Sequence, residues 1–426
     1  MTAKNSTARP VRARSRAPIR PMIAALATAT SCGAWAAEPN PYYFGVSQGL
    51  THDSNVFRTP GGPSDNYSST GLLGGFDQMI SRQRVYATAH VDLNRFQDQQ
   101  QLNNTSYGVN TGWDWATIEK LSGNVYARLN QNLASLNDNT LRPSNERNLS
   151  TNKQFGARAR WGGDAALTLL SGYGHSSVSY SAPAFQSSAS SQDSFDIGVN
   201  YRVGATLVVG SVLRFTHTEA DQALVQPNGT FLSNTTNGRA VELTAQWDAS
   251  VQTRTSTRVS WTNRTNSGVG NRDYSGLTGS FDFSYVPTAK LSFTGSLGRD
   301  AGTNGISINA TDIRTNTLIA GRSENSQVAN SLALGATYAA TSKINVNAGV
   351  QYRHSTIVDA LNAGTLGSSR EYGDTSRSLS LGANYAISRN WSMACNLAHV
   401  ERDVGGTVPF KYGATTANCS TQYTLR

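Results

Sequence analysis

The sequence lacks long apolar runs. A helix that crosses a bilayer needs about 18 or more consecutive apolar residues, and outside a short stretch at 22–27 no such run occurs. A helical membrane protein is therefore excluded. Charge is also scarce, at 15% of residues, whereas Gly, Ser, Thr, Asn and Tyr are frequent. That mixture suits a transmembrane β-barrel, in which alternation along each strand hides apolar residues from hydropathy plots.

Catalytic and metal-binding patterns are also lacking. The six histidines, His52, His90, His175, His217, His354 and His399, are scattered and show no metal-ligand spacing. No G-x-S-x-G nucleophile motif occurs. The sequence therefore predicts a protein that is not an enzyme and that binds no metal or cofactor. A barrel enzyme such as a lipase or deacylase is the alternative.

The first 37 residues differ from the rest of the chain. Six basic residues and no acidic ones precede the apolar stretch at 22–27, and small residues follow at Ala34 and Ala36. This is the pattern of a signal peptide cleaved near Ala36 or Ala37, which leaves a mature domain at 38–426. The full-chain charge of +9 falls to about +3 without it, because 30 basic residues then face 27 acidic ones. A nucleic-acid-binding protein is accordingly not expected.

Segments of the mature chain alternate between apolar and polar residues. Clear examples are Leu121–Leu129, Phe195–Val203, Val241–Asp248 and Ile344–Tyr352. A period of two indicates strands with one apolar and one polar face. A soluble β-sandwich would show the same period, so the period does not decide between the two classes.

The lengths of the connections favour a barrel in the outer membrane. Short links alternate with mostly longer polar ones along the whole mature chain, the longest at 136–150, 219–236, 302–325 and 357–374. Short periplasmic turns and long external loops give this rhythm. We count 18 strands, with 16 as the alternative, in an all-β antiparallel up-and-down barrel. Because the number is even, both termini are predicted to face the periplasm of a Gram-negative bacterium.

Tryptophan distribution supports this orientation. Trp113, Trp115, Trp161, Trp247 and Trp391 all lie near short turns, and of the mature set only Trp261 does not. Indole prefers the membrane interface, so the pattern is typical of an aromatic girdle at the periplasmic side.

If the apolar residues face outward, the other residues of each strand line the pore. The candidate pore-lining residues are Arg84, Arg128, Arg158, Arg160, Arg202, Arg214, Arg254, Arg258, Arg264, Arg353, Asp92, Asp196, Glu242, Asp248 and Asp282. Ten basic residues against five acidic ones predict a lumen that favours anionic solutes and could pair with the carboxylates of a sugar polymer. The alternative is that these arginines neutralise luminal carboxylates and fix the wall.

The mature chain keeps two cysteines, Cys395 and Cys419. Each lies on one of the last two predicted strands, stands an even number of residues from the apolar residues of that strand, and is therefore expected on the apolar face. In an antiparallel hairpin, the residue numbers of each directly opposed pair add up to the same sum. The midpoint between the numbers 395 and 419 falls inside the connecting link at 403–414, as it does for an opposed pair. We therefore expect the two cysteines to be directly opposed and joined by a disulfide. The alternative is two unpaired thiols that serve as small apolar residues.

A segment at the mature N-terminus resembles a known family. Gly45–Arg58, with the core motif Asp53-Ser54-Asn55-Val56-Phe57-Arg58, is similar to the first strand of β-barrel porins of the second type. It looks most like the EpsL-type outer-membrane proteins of exopolysaccharide operons. The resemblance implies export of a secreted polysaccharide with periplasmic export machinery as partner, and it provides no catalytic residues.

Three functions remain open at this stage. The first is a conduit for exopolysaccharide, the second a general or anion-preferring diffusion porin, and the third a structural or adhesive surface barrel. All three place the chain among outer-membrane lipids. The sequence leaves the polymer, the gate and the oligomeric state undetermined.

Overall fold

The computed structural model describes residues 40–134, 146–163, 165–183, 185, 189–225, 231–267, 273–302, 310–311, 318–319, 326–361, 368–405 and 410–426. The chain divides into Met1–Asn40 and Pro41–Arg426, and the second unit contains all the strands given below. The predicted signal peptide at 1–37 and its cleavage site lie outside the described residues.

The described part of the chain is almost entirely β-strand. The strands are β1 (Tyr42–Asp53), β2 (Asp65–Ile80), β3 (Gln83–Phe96), β4 (Asn104–Ala116), β5 (Leu121–Leu133), β6 (Leu149–Trp161), β7 (Leu167–Tyr180), β8 (Ser190–Val203), β9 (Leu207–Val225), β10 (Phe231–Asp248), β11 (Thr253–Asn266), β12 (Tyr274–Thr288), β13 (Leu291–Gly302), β14 (Ala310–Thr311), β15 (Leu318–Ile319), β16 (Ser326–Ala339), β17 (Ile344–Leu361), β18 (Ser368–Ala386), β19 (Trp391–Val404) and β20 (Phe410–Leu425). One 3₁₀ turn covers Gln100–Leu102. Within these residues no helix has the length and apolar character to span a bilayer.

Eighteen of the strands form one closed antiparallel sheet. Each pairs with the next along the chain, β13 pairs with β16, and β20 returns to pair with β1. The two-residue strands β14 and β15 pair only with each other. The prediction of 18 strands is confirmed. The closing register sets Phe44 opposite Leu425, so β1 begins and β20 ends at the same end of the barrel. That this end faces the periplasm stays a prediction.

The barrel carries its apolar side chains on the outside. Leu72 and Leu243 are 60% and 62% exposed, whereas Glu242, between its neighbours Val241 and Leu243, is 3% exposed. Alternate residues of a strand point to opposite faces. The apolar residues therefore face outward and the polar ones inward, which is the reverse of a soluble sandwich, whose core would be apolar.

Short and long connections lie at opposite ends of the barrel. The short-turn end has eight links, such as Val203 to Leu207, where Gly204 takes a φ of 69° that favours glycine. The other end, called the loop end below, has the longer links. Three predicted links are wrong in part. Residues within 219–236, 357–374 and 403–414 extend β9, β10, β17, β18, β19 and β20, because backbone pairing continues after the apolar alternation has faded.

Cys395 and Cys419 are directly opposed on β19 and β20, in the register expected from their residue numbers. Their sulfur atoms are joined as a disulfide with Cα atoms 4.1 Å apart. Both lie on the outward face, since their neighbour in the closing register is the exposed Leu50.

Candidate functional site: the inner wall of the barrel

The inner wall can be followed around the barrel through the strand registers. Directly opposed residues of an antiparallel pair share a face, so each register fixes the face of the next strand. By this route all fifteen candidate residues lie on inward positions of their strands: Arg84, Asp92, Arg128, Arg158, Arg160, Asp196, Arg202, Arg214, Glu242, Asp248, Arg254, Arg258, Arg264, Asp282 and Arg353. They do not form one site, because some of them belong to an ion-pair network, four form a stripe of arginines, and the others are spread over the rest of the wall.

The first sector is an ion-pair network on β9, β10, β11 and β13. Buried Glu242 lies 2.8 Å from Arg214 Nη1 and 3.5 Å from Arg258 Nη1. Arg258 also reaches Asp300, at 3.4 Å between Nη2 and Oδ1. A buried carboxylate is stable when opposite charges and hydrogen bonds surround it. These two arginines therefore neutralise carboxylates, as the alternative interpretation expects.

Sequence reasoning missed Asp300 and two further inward acids. Asp77 lies 2.6 Å from Arg84 Nη2, and Asp114 lies 3.8 Å from Arg84 Nη1. Both faces of β2 carry large apolar residues, such as Leu72 and Leu73, so its apolar period could not assign Asp77 to a face. The sequence did contain a signal for Asp77, because Asp77 and Arg84 have opposite charges and stand on either side of the tight turn at Ser81.

Ion pairs also occur at both ends of the inner wall. At the short-turn end, Arg254 Nε lies 2.6 Å from Asp248 Oδ1. At the loop end, Arg402 makes a nearly buried bidentate pair with Asp374, at 2.7 and 3.0 Å. The second pair was missed because Asp374 fell inside a predicted link.

The second sector is a stripe of arginines on β5, β6 and β8, called the arginine stripe: Arg128, Arg158, Arg160 and Arg202. Three of them are exposed to the lumen. Arg128 is half-buried, donates to Asn110 Oδ1 at 3.1 Å and covers the ring of Tyr126. Among the residues that the structure describes, none of the four lies within 4.0 Å of a carboxylate. The stripe is therefore a solvated positive surface that can bind anions.

The strand registers and one short contact place the remaining predicted residues. Asp92 is 4.0 Å from His90 Nε2, and Asp196 is opposed to Arg214 in the register. Asp282 is opposed to Ser256 and Arg264 to Gly238. Arg353 lies between Ser331 and Ser376 on the neighbouring strands.

The third sector is built by the motif that carries the family resemblance. The predicted first strand, to residue 57, is wrong at its end, because β1 stops at Asp53 and the motif turns back. Arg58, at a φ of 54°, pairs with Asp53 at 2.6 Å. Asn55 donates to Thr59 O at 2.7 Å and, across the closing seam, to Gly413 O at 3.1 Å. The motif therefore ties β1 to β20.

The same motif anchors a small apolar cluster at the loop end. Phe57 is buried with Phe96 and Leu102, and Tyr67 stacks on Phe96 with ring centroids 4.6 Å apart. Asp65 accepts hydrogen bonds from the backbone of Asp98 and Gln99, which fixes the loop that carries Leu102. This side of the loop-end mouth is thus packed rather than open.

Several solved structures resemble this one at low similarity. OccK1 (OpdK) of Pseudomonas aeruginosa is 11% identical, with 90% of this chain and 99% of that chain covered and a TM-score of 0.48. The FrpB iron transporter of Neisseria meningitidis is 8% identical, with 91% and 82% covered and a TM-score of 0.47. The siderophore receptor PirA of Acinetobacter baumannii is 6% identical, with 91% and 81% covered and a TM-score of 0.44. No family model matches the sequence, and no curated protein matches it.

Function therefore has to follow from the chain's own geometry, and the EpsL-type resemblance gains no support from these matches. Barrels of 16–18 strands leave an aqueous channel. Within the described residues no cluster of three or more His, Cys, Asp or Glu could hold a metal ion. What the described part of the inner wall offers chemically is a set of neutralised sectors and one positive sector.

Proposed function

We propose that this protein is a channel in the outer membrane of a Gram-negative bacterium. The observation that supports a membrane location is the outer surface, where large apolar side chains such as Leu72, Leu243 and Leu381 are more than half exposed around the barrel. Water would disfavour such a surface, whereas a bilayer solvates it. A closed barrel also leaves no unpaired strand edge in the lipid.

The solute class that fits the wall is anionic. Guanidinium groups that face water keep their charge and attract anions, whereas those paired with carboxylates contribute little net field. The arginine stripe provides such groups on one side of the lumen. This observation carries the proposal of an anion-preferring channel.

The finer form of the proposal is a conduit for an acidic exopolysaccharide that works with periplasmic export machinery. Its support is the resemblance of Asp53–Arg58 to EpsL-type proteins together with the stripe, since arginine pairs well with carboxylates on sugars. A diffusion porin for small anions fits the same wall equally well. An adhesive barrel without transport would leave the arginine stripe without a purpose.

Charge reversal tests the channel. In planar bilayers, Arg158→Glu, Arg160→Glu and Arg202→Glu together should shift the reversal potential in a salt gradient toward cation selectivity. The matched control reverses three outward arginines, Arg95→Glu, Arg239→Glu and Arg299→Glu, and should leave selectivity unchanged. An equal shift in both triple variants, or none in the first, would overturn the assignment, and a folded protein that passes no current would favour the adhesive barrel.

The choice between polymer and small anion needs a second measurement. If the stripe serves an acidic polymer, uronic-acid oligosaccharides should block the open-channel current of the wild type at lower concentrations than neutral oligosaccharides of equal length. The Arg158/Arg160/Arg202 variant should lose this difference. Equal block by both sugars in the wild type would leave the small-anion porin as the function.

A further inference from the structure

The outward face of the barrel is chemically different at its two ends. At the short-turn end, exposed aromatic residues border the apolar surface: Tyr42, Trp113, Trp161, Tyr201, Trp247, Tyr285, Tyr338, Tyr385, Trp391 and Tyr423. Two indoles find polar partners there, Trp113 with Gln83 at 2.9 Å and Trp391 with Thr421 at 2.6 Å. Aromatic rings with one polar contact are typical of a membrane interface.

At the loop end the border is basic instead. Ten strands each place an Arg, Lys or His on an outward position, called the basic belt: His52, Arg95, Lys153, His175, His217, Arg239, Arg299, His354, Arg377 and His399. Each stands two residues beyond a large exposed apolar residue of its strand: Leu50, Leu93, Phe155, Tyr173, Phe215, Val241, Leu297, Tyr352, Leu379 and Leu397. Among the described strands, β8 has an acidic residue, Asp193, at the equivalent position. Five of the six histidines of the chain are in the belt.

The five belt histidines are oriented by the same kind of contact. In each, Nδ1 meets the side chain directly opposed on the neighbouring strand, and the partners and distances are Asn66 (2.9 Å), Asp193 (2.9 Å), Asn237 (2.7 Å), Thr375 (2.9 Å) and Thr415 (2.8 Å). Such a contact fixes the ring. Because Nδ1 is used in this contact, Nε2 is the nitrogen that can meet a ligand from outside at His52, His175 and His354. At His217 and His399, Nε2 lies near a glutamate of the same strand.

One part of the belt has a well-defined geometry. The registers set Arg299, Asn330, His354 and Thr375 in a straight row across β13, β16, β17 and β18. Strands lie about 4.8 Å apart, so Arg299 and His354 are separated by roughly 10 Å along this row. Arg377 stands one outward position from Thr375. Arg299 and Arg377 are exposed. Arg299 donates to Asn330 Oδ1 at 3.1 Å, and Arg377 is directly opposed to Glu401 of β19 without an ion pair within 4.0 Å.

Acidic groups face outward near the belt in a few places. Asp193 lies between His175 and His217 in the register. Glu219 is 3.1 Å from His217 Nε2, and Glu401 is 3.6 Å from His399 Nε2. Asp403 and Lys411 are opposed above His399. These acids stand on β8, β9 and β19, with Glu371 as a further outward acid on β18. The outward positions of β3, β6, β10, β13 and β17 carry basic residues of the belt and no acidic one, so the belt remains basic there.

We propose that the basic belt binds the phosphate groups of a phosphorylated glycolipid in the leaflet at the loop end. Arginine and lysine at a membrane interface extend toward headgroups, and guanidinium pairs with phosphate in a bidentate manner. The belt runs around ten strands, as a shell of lipids would require, whereas a protein partner would contact one sector. Repeated basic groups about 10 Å apart suit a headgroup with more than one phosphate. With the outer-membrane location proposed above and the orientation predicted from the link lengths, this leaflet is the outer one.

The test compares two triple variants of equal charge. Arg239→Gln, Arg299→Gln and Arg377→Gln remove three belt charges, and Arg158→Gln, Arg160→Gln and Arg202→Gln remove three luminal ones. Both proteins are placed in phosphatidylcholine vesicles, and bound lipid is measured by native mass spectrometry during titration with lipid A. The belt variant should bind lipid A at least about tenfold more weakly than the wild type, from the attraction of each basic residue to anionic headgroups, and the luminal variant should bind it as the wild type does.

Four results would overturn the proposal. Three are unchanged lipid A binding by the belt variant, equal loss in both variants, and phosphatidylglycerol binding as tightly as lipid A. The fourth is displacement of lipid A by inorganic phosphate at equal concentration, since a free anion would then be the ligand. Folding of both variants is checked by the heat-dependent shift of barrel mobility in gels. Channel selectivity of the belt variant should stay normal, so this test and the test of the channel can fail separately.

Discussion

At the scale of the residue, one step along a strand decides whether a side chain meets lipid or water. On β18, Leu381 is more than half exposed on the outward face, midway between Arg377 and Tyr385, and its neighbour Ser380 faces inward. This alternation makes adjacent substitutions sensitive tests of the wall.

Leu381→Arg should lower the free energy of unfolding in vesicles by about 2–4 kcal/mol, because arginine on the lipid face is costly near the midplane. Ser380→Arg should change it far less, since its guanidinium reaches the aqueous lumen. Denaturant titration of both variants in the same lipid measures the difference. Equal destabilisation would show that the two residues do not face different environments.

At the scale of the element, the closing pair of strands depends on a few polar contacts. Ser54 donates from its backbone to Thr415 O at 2.9 Å, and Thr415 donates back to Ser54 Oγ at 2.8 Å. Buried Asn55 adds the bond to Gly413 O. The Asp53–Arg58 motif is thus a structural closure of the barrel, and its resemblance to a first strand needs no transport role.

Asn55→Ala should loosen this seam. It removes the partners of Thr59 and Gly413, and an unsatisfied buried polar group costs about 1–3 kcal/mol. Hydrogen exchange should speed up at the amides of β1 and β20 but not at those of β8 and β9, which provide the internal control. Uniform acceleration over all four strands would mean that Asn55 supports the whole barrel instead.

At the scale of the whole molecule, loop lengths and wall chemistry are both asymmetric and agree in direction. Long links and the basic belt share one end, and the short turns share the other with most of the exposed tryptophan and tyrosine residues. Outer-membrane barrels keep their short turns in the periplasm and their longer loops outside, so the link lengths predict that the loop end faces outward.

Single-cysteine labelling checks that orientation. Gln101→Cys, in the exposed loop after β3, should react with a membrane-impermeant maleimide on intact cells. Ser250→Cys, in the exposed turn between β10 and β11, should react only after the outer membrane is opened. Labelling of Ser250→Cys on intact cells, with Gln101→Cys protected, would reverse the orientation.

The sequence by itself determined what depends on neighbours along the chain. The period of two predicted the strands and their faces, and the link lengths predicted the number of strands. The residue numbers of Cys395 and Cys419 placed them opposite each other, because pairing within a hairpin is a local property. Only the tertiary structure decided what joins distant segments. The bond from Asn55 to Gly413, the reach of Arg258 to Asp300 across β12, and the division of arginines into paired and solvated groups require closure. The basic belt also emerges only there, since its residues are far apart in the chain and share a level only when the registers align the strands.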